Sequence, residues 1–181
     1  MNIFSKVKGL DQGQYNIIYI ISSFRPVVGG AERQAELICR HLFAQGFNVT
    51  VLTRHRKGLR KYELIDRYAV KRIPAFGPGK LASVIFFITA VIYLIKNFRS
   101  IDIIQSSQMG VPALCAVLFK ILFRKPVVLK SEGNDLECAM ARPWRRRVTT
   151  LILRTADAFI AISKTTQIST EALNFRLKNC T

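Results

Sequence analysis

The chain has 181 residues, half of them hydrophobic, a length and composition that suit one globular domain and exclude a disordered protein. Its 28 lysines and arginines against 11 aspartates and glutamates give a formal net charge of +17, which favours nucleic acid, an anionic membrane surface or a phosphorylated substrate as partner. The four cysteines are scattered and the two histidines do not cluster with them, so the sequence predicts reduced thiols and no metal site.

The N-terminal part of the chain predicts a tail, three strands and a helix. Residues 1–15 are expected to be a flexible tail. Ile17–Ile21 is a continuous apolar run, typical of a strand that is covered on both faces. Apolar residues at every third or fourth position then predict a helix from Ala31 that ends at Gly46. The second strand is predicted at Asn48–Leu52 and, after a basic loop, a short third strand at Ala69–Ile73.

The remainder of the chain alternates between helical and strand patterns, starting with a helix at Lys80–Phe98. Further strands are predicted at Asp102–Gln105, Val127–Lys130 and Ala158–Ile162, and further helices at Val111–Phe123, Arg145–Thr155 and Thr165–Asn174. Because such alternation requires right-handed crossovers, we expect a Rossmann-like three-layer α/β domain with a mainly parallel sheet over residues 16–181.

One uncharged apolar run, Leu81–Ile95, lies between Lys80 and Lys96. As a helix it would span roughly 22 Å, which is shorter than the ~30 Å hydrocarbon core of a bilayer, so we do not predict a transmembrane segment. Two alternatives stay open, a helix buried on all sides in the core and a helix that lies on a membrane surface.

The most informative turn is the glycine pair Gly29–Gly30, which follows the first strand and precedes a helix with Glu32 in its first turn. Glycines there would let the backbone approach a ligand, and the free N–H groups of the helix would suit a phosphate. The alternative is a plain tight turn. A dinucleotide cofactor is not expected, because the GxGxxG pattern is absent and Arg54–Arg56 replaces the acidic residue that binds ribose.

Four segments of the chain together resemble glycosyltransferase family 4, whose members have the two-domain GT-B fold. They are "GGAERQAELICRHLFAQGFNVTVLT" (29–53), "SIDIIQSSQMGVPALCAV" (100–117), "KPVVLKSEGND" (125–135) and "ADAFIAISK" (156–164). Their order and spacing match the family over about residues 16–170.

The resemblance implies a sugar transfer from a nucleotide sugar, with retained anomeric configuration and without a metal or other cofactor. It places Gly29, Gly30, Glu32 and Arg33 in the cleft near the donor. Where family members often carry a His-Gly pair after the fifth strand, this chain has Glu132 and Gly133, followed by Asn134. Glu132 could accept a hydrogen bond from an acceptor hydroxyl and is the candidate catalytic residue, the alternative being a solvated turn.

The family's second domain, which carries the nucleotide pocket, has no counterpart in residues 1–181. The resemblance therefore implies an acceptor-binding half that is inactive alone, because stabilisation of the leaving group is usually the largest catalytic term. A non-catalytic, membrane-docked subunit of a split glycosyltransferase is the alternative, and in either case a second chain could supply the donor domain.

Clusters of basic residues lead us to expect a saccharide or lipid-linked acceptor and a peripheral position at the cytoplasmic face of the membrane. Nucleic acid is not expected, since aromatic residues do not interleave with the basic ones. The basic residues singled out for a membrane or an anionic acceptor are Arg54, Arg56, Lys57, Arg60, Lys61, Arg145, Arg146 and Arg147.

Overall fold

A computed structural model of the chain describes residues 15–132, 135–140, 143–163 and 166. The strands are β1 (Asn16–Ile20), β2 (Asn48–Arg54), β3 (Tyr62–Ile65), β4 (Tyr68–Ile73), β5 (Ile103–Ser107), β6 (Val127–Lys130) and β7 (Ala158–Ile160). The helices are α1 (Gly30–Ala44), α2 (Gly79–Lys96), α3 (Val111–Phe123), α4 (Asp135–Met140) and α5 (Pro143–Thr155), with a 3₁₀ turn at Phe98–Ser100.

The strands form one seven-stranded sheet in the order β3-β4-β2-β1-β5-β6-β7. All neighbouring pairs are parallel except β3 and β4, which form an antiparallel hairpin. In the centre, Ile18 of β1 lies between Thr50 of β2 and Ile104 of β5. This arrangement confirms the predicted three-layer α/β fold with a mainly parallel sheet.

The two faces of the sheet are covered by different helices, because successive side chains of a strand point to opposite faces. Ile18 and Ile20 of β1 pack into the cluster that contains residues of α2, α3 and α5. Tyr19 and Ile21 pack into a second cluster with Ala35 and other residues of α1. We call α2, α3 and α5, which share one face of the sheet, the helical layer.

Several predicted elements have the predicted bounds, and two elements were not predicted. α3 and β6 begin and end where the sequence indicated. The loop expected after β2 contains the edge strand β3, which turns into β4 through Asp66 and Arg67, both with positive φ (47° and 73°). The short helix α4 was also missed. Residues 1–14, expected to be a tail, and the helix predicted at Thr165–Asn174, apart from Thr166, lie outside the described residues.

The apolar run in α2 is not buried on all sides, so the first of the two alternatives, a fully buried core helix, is wrong. α2 buries Phe86, Ala90 and Leu94 against the sheet and α3, while large aliphatic side chains on its other face are exposed. The helix has 18 residues, three more than the run Leu81–Ile95. In the described part of the chain, it alone has the length and mean hydropathy (1.8) that a membrane span requires.

Candidate active site

The crevice at the carboxyl edge of the sheet lies between β1 and β5. The order of the strands reverses there, since α1 leaves β1 toward β2 on one face while α3 leaves β5 toward β6 on the other. Ligands of open α/β sheets bind at such a point. The segments that meet at this edge are the N-terminus of α1 and the residues that follow β5 and β6.

The glycine pair forms the start of α1. Gly29 is the N-cap residue, with φ −132° and ψ −176°, and its carbonyl accepts the N–H of Arg33 at 3.1 Å. The backbone N–H groups of Gly30, Ala31 and Glu32 have no hydrogen-bond partner among the described residues. Neither Gly29 nor Gly30 has a positive φ, so the turn itself does not require glycine. The first turn of α1 can therefore bind an anion.

The space around the two glycines differs. A Cβ built on Gly30 would meet no atom within 4 Å, whereas one on Gly29 would collide with the carboxylate of Glu32, which folds back over it. Arg33 is exposed and has no acidic partner in the described ranges. The open side of Gly30 and the free guanidinium of Arg33 thus border the same helix end.

A buried ion pair follows β6. Lys130 and Glu132 form a salt bridge, and their side chains are 5% and 7% exposed. Lys130 Nζ also donates to Gln34 Oε1 of α1 at 2.7 Å. Ser107, the last residue of β5, donates its hydroxyl to the same Glu132 oxygen that Lys130 contacts. Three segments of the crevice are joined by this cluster of four side chains.

Asp135 fixes the backbone around Glu132. Its Oδ1 accepts the N–H of Glu132 at 3.0 Å and its Oδ2 accepts the N–H of Met109 at 2.7 Å, so one carboxylate connects the segments after β5 and β6. Burial raises the pKa of Asp135, and the backbone hydrogen bonds partly oppose that shift. Glu132 Oε2 accepts no hydrogen bond from the described residues.

The structure therefore brings the predicted residue Glu132 next to α1, the helix that carries the glycine pair. Gly133 and Asn134 lie outside the described residues. Sequence reasoning missed Lys130, Gln34, Ser107 and Asp135. A signal existed for Lys130, because a lysine inside a short apolar strand of a parallel sheet is unusual unless it is paired. The other three are visible only once the fold is known.

The basic residues after β2 do not act as one free cluster. Arg54 packs onto α2, with Nη2 donating to Ser83 Oγ at 3.2 Å and Cζ 5.1 Å from the ring centre of Phe86, and burial lowers its pKa. Arg56 donates to Ser23 Oγ at 3.3 Å. The residues of this cluster with exposed side chains are Arg56, Lys57, Arg60 and Lys61.

The second predicted cluster, Arg145–Arg147, begins α5 and is exposed. Because α5 follows β6, three strands from β2 in the sheet, roughly 14 Å separates the strands that lead to the two clusters. The eight basic residues therefore belong to two surfaces. In the described part of the chain, no group of three or more His, Cys, Asp or Glu side chains could hold a metal ion.

The model of Glycosyltransferase Family 4 matches residues 28–178 of the chain. The chain belongs to this family. The match covers both the α1 end of the crevice and the segment after β6. No curated protein sequence matches the chain significantly.

Several solved structures have the same fold. Sucrose-phosphate synthase from Thermosynechococcus elongatus superposes with a TM-score of 0.70 at 16% identity, covering 87% of this chain and 45% of its own. Anabaena Alr3699/HepE in complex with UDP and glucose gives 0.65 at 17% identity, covering 90% and 42%. UDP-N-acetylglucosamine 2-epimerase from Rickettsia bellii gives 0.56 at 12%, covering 89% and 42%. This family 4 chain thus spans less than half the length of each.

Proposed function

We propose that this family 4 chain is the acceptor-binding half of a glycosyltransferase that uses a nucleotide sugar. The observation that carries the proposal is the cluster in which Lys130 joins Glu132 to α1, directly beside the open N-terminus of that helix. The names of two structural neighbours, a complex with UDP and glucose and an epimerase of UDP-N-acetylglucosamine, support a nucleotide sugar as donor. The acceptor would be a saccharide or a lipid-linked saccharide.

The chemistry of the site suits this reaction. The acceptor oxygen forms a bond to the anomeric carbon of the donor while the bond from that carbon to the diphosphate breaks, and the nucleoside diphosphate leaves with the proton of the acceptor hydroxyl. The N–H groups of the first turn of α1 and the guanidinium of Arg33 would stabilise negative charge on the diphosphate. Glu132 Oε2 would accept the hydrogen bond of the acceptor hydroxyl and orient it. Retention of the anomeric configuration is part of the proposal.

A second domain would complete the nucleotide pocket, on this chain or on another. We therefore expect the 181 residues alone to turn over no nucleotide sugar, because half of the groups that stabilise the leaving diphosphate would be missing. Incubation of the purified chain with a panel of labelled UDP, GDP and ADP sugars tests this, and transfer or hydrolysis above a buffer control would contradict it.

The site itself is tested in the enzyme combined with its donor domain. Gly30→Val should lower kcat by about 100-fold, because the branched side chain would occupy the space that the diphosphate needs. The fold should persist, since a Cβ at Gly30 meets no other atom within 4 Å. Ala44→Val, at the exposed opposite end of α1, is the matched control and should keep full activity. An unchanged rate in Gly30→Val would show that the glycine pair is only a turn.

A further inference from the structure

The helical layer carries no acidic side chain. The sequences of α2, α3 and α5 contain seven lysines and arginines and no aspartate or glutamate. Only one of the seven, Lys120, has an acidic partner in the described part of the chain, Asp157. On the opposite face of the sheet, α1 contains Glu32 and Glu36. Positive charge is therefore concentrated on these three helices, while the short helix α4, which packs into the same core cluster, adds Asp135 and Glu137.

The same layer exposes apolar side chains along α2. They recur at intervals of three or four residues, so they form one stripe on the helix surface. Lys80 and Lys96 flank this stripe at its two ends and are exposed. The members of the stripe, with their exposed fractions, are Leu81 (52%), Val84 (53%), Ile88 (50%), Ile92 (47%) and Ile95 (43%).

The apolar surface continues from α2 onto α3. Ile95 of α2 and Leu122 of α3 lie next to each other where the two helices pack, and both side chains are exposed. Beside them, the rings of Phe98 and Phe123 stack with their centres 4.7 Å apart, and the guanidinium of Arg99 lies over Phe98 at 5.6 Å. A basic group thus lies beside apolar side chains at this end of the layer, as Lys96 does at the end of the α2 stripe.

Exposed apolar side chains and arginines also lie side by side on α5. Trp144 and Leu151 are 60% and 61% exposed, and Arg145 lies over the indole ring at 5.3 Å. Arg147 and Arg154 line an open groove beside Leu151. A tryptophan next to uncompensated arginines is typical of residues at the interface between water and lipid headgroups.

We propose that the outer surface of the helical layer docks on the anionic leaflet of a phospholipid membrane. α2 would lie flat in the plane of the interface, with its aliphatic stripe at the level of the acyl chains and the lysines and arginines on lipid phosphates. It would not span the bilayer, because Phe86, Ala90 and Leu94 pack against the protein core. Nucleic acid does not explain this surface, because phosphates offer nothing to a stripe of isoleucines.

The test measures binding of the purified 181-residue chain to phosphatidylcholine vesicles with and without phosphatidylglycerol, by flotation. We expect binding only when phosphatidylglycerol is present, and a residual bound fraction at about 1 M salt, where the Debye length is about 3 Å and apolar contacts persist. Fluorescence of Trp144, the single tryptophan, should shift to the blue on binding. Binding without that shift would remove α5 from the proposed surface.

Two double variants, one on α2 and one elsewhere, test whether the helical layer is the part that binds. Ile88→Gln/Ile92→Gln should lower the partition coefficient at least about tenfold and abolish the salt-resistant fraction. Leu37→Gln/Leu64→Gln changes two leucines on α1 and β3 that are more exposed than Ile88 and Ile92, and it should bind like the unaltered chain. Circular dichroism checks that both variants remain folded. Equal loss in both, or no binding of the unaltered chain to either vesicle, would overturn the proposal.

The charged groups have their own matched pair. Lys80→Gln/Lys96→Gln/Arg99→Gln should reduce binding at about 0.1 M salt roughly fivefold for each charge removed. Lys57→Gln/Arg60→Gln/Lys61→Gln removes three exposed charges from the loop after β2. A loss of the same size in that variant would show that net charge alone drives binding, and the assignment to the helical layer would be wrong. These readouts need no sugar transfer, so they stand apart from the proposed activity.

Discussion

Removal of the cation in the buried pair after β6 should destabilise the domain strongly. In Lys130→Met, Glu132 would remain 7% exposed without its positive partner and would keep only the hydroxyl of Ser107 on the same oxygen. Breaking a buried ion pair on one side costs about 3–5 kcal/mol, a large part of the roughly 5–15 kcal/mol of a typical domain. With a urea m-value of about 2 kcal/mol/M, the midpoint should fall by about 1.5–2.5 M.

A double-mutant cycle then separates the pair from the packing around it. Lys130→Met/Glu132→Leu replaces both charges by apolar groups, so most of the lost stability should return and the coupling free energy should exceed about 2 kcal/mol. Urea unfolding followed by circular dichroism measures each variant. Arg40→Met, which removes an exposed arginine from Glu36 and Asp66, is the control and should leave the midpoint unchanged. A double variant that is less stable than Lys130→Met would refute the reasoning.

Two further predictions concern buried groups elsewhere. Arg72→Lys should lower the free energy of unfolding by about 2 kcal/mol, because the planar guanidinium pairs with Glu63 and donates to the carbonyls of Arg25 and Arg60 at 2.7 and 3.1 Å. Thermal melts measure the effect, with Lys71→Arg as the control. Equal melting temperatures for Arg72→Lys and the unaltered chain would contradict this prediction. Burial raises the pKa of Cys115 to about 12 and raises that of Cys39 as well, so neither forms thiolate at about pH 8. Alkylation followed by peptide mass spectrometry should modify the exposed Cys138 in the native protein and the other two only after unfolding.

The elements whose bounds were predicted correctly are those with a proline at or near their first residue. α3 has Pro112 in its first turn, and β6 follows Pro126, so the bounds of both could be predicted. β3 was missed because it has only four residues and turns through Asp66 and Arg67, which lack the glycine of common hairpin turns. The exposed face of α2 was not predictable, since a helix that is apolar all round has no periodicity to show which side meets solvent.

The site was predictable in part, and for different reasons. The glycine pair was identified from its position between the first strand and the first helix, and Glu132 from its place where family members often carry the histidine of a His-Gly pair. Gln34 and Lys130, which are 96 residues apart, could not be paired from the sequence, because only the sheet order brings their segments together. The left-handed backbone conformation of Gln108, a non-glycine residue with a φ of 87° directly after β5, was not predicted either. Such backbone conformations depend on contacts that a sequence does not display.

The order of the strands has a consequence for how the domain is made. From β1 outward, the strands β5, β6 and β7 are added to one edge of the sheet in the order in which a ribosome synthesises them. Residues 15–73 already contain β1 to β4 and α1, so these four strands can pair before β5 emerges. During this interval the edge of β1 is unprotected, and such an edge can pair with another chain. β5 covers the edge of β1, β6 that of β5 and β7 that of β6, so translation itself limits the time for which β1, β5 and β6 stay open to aggregation.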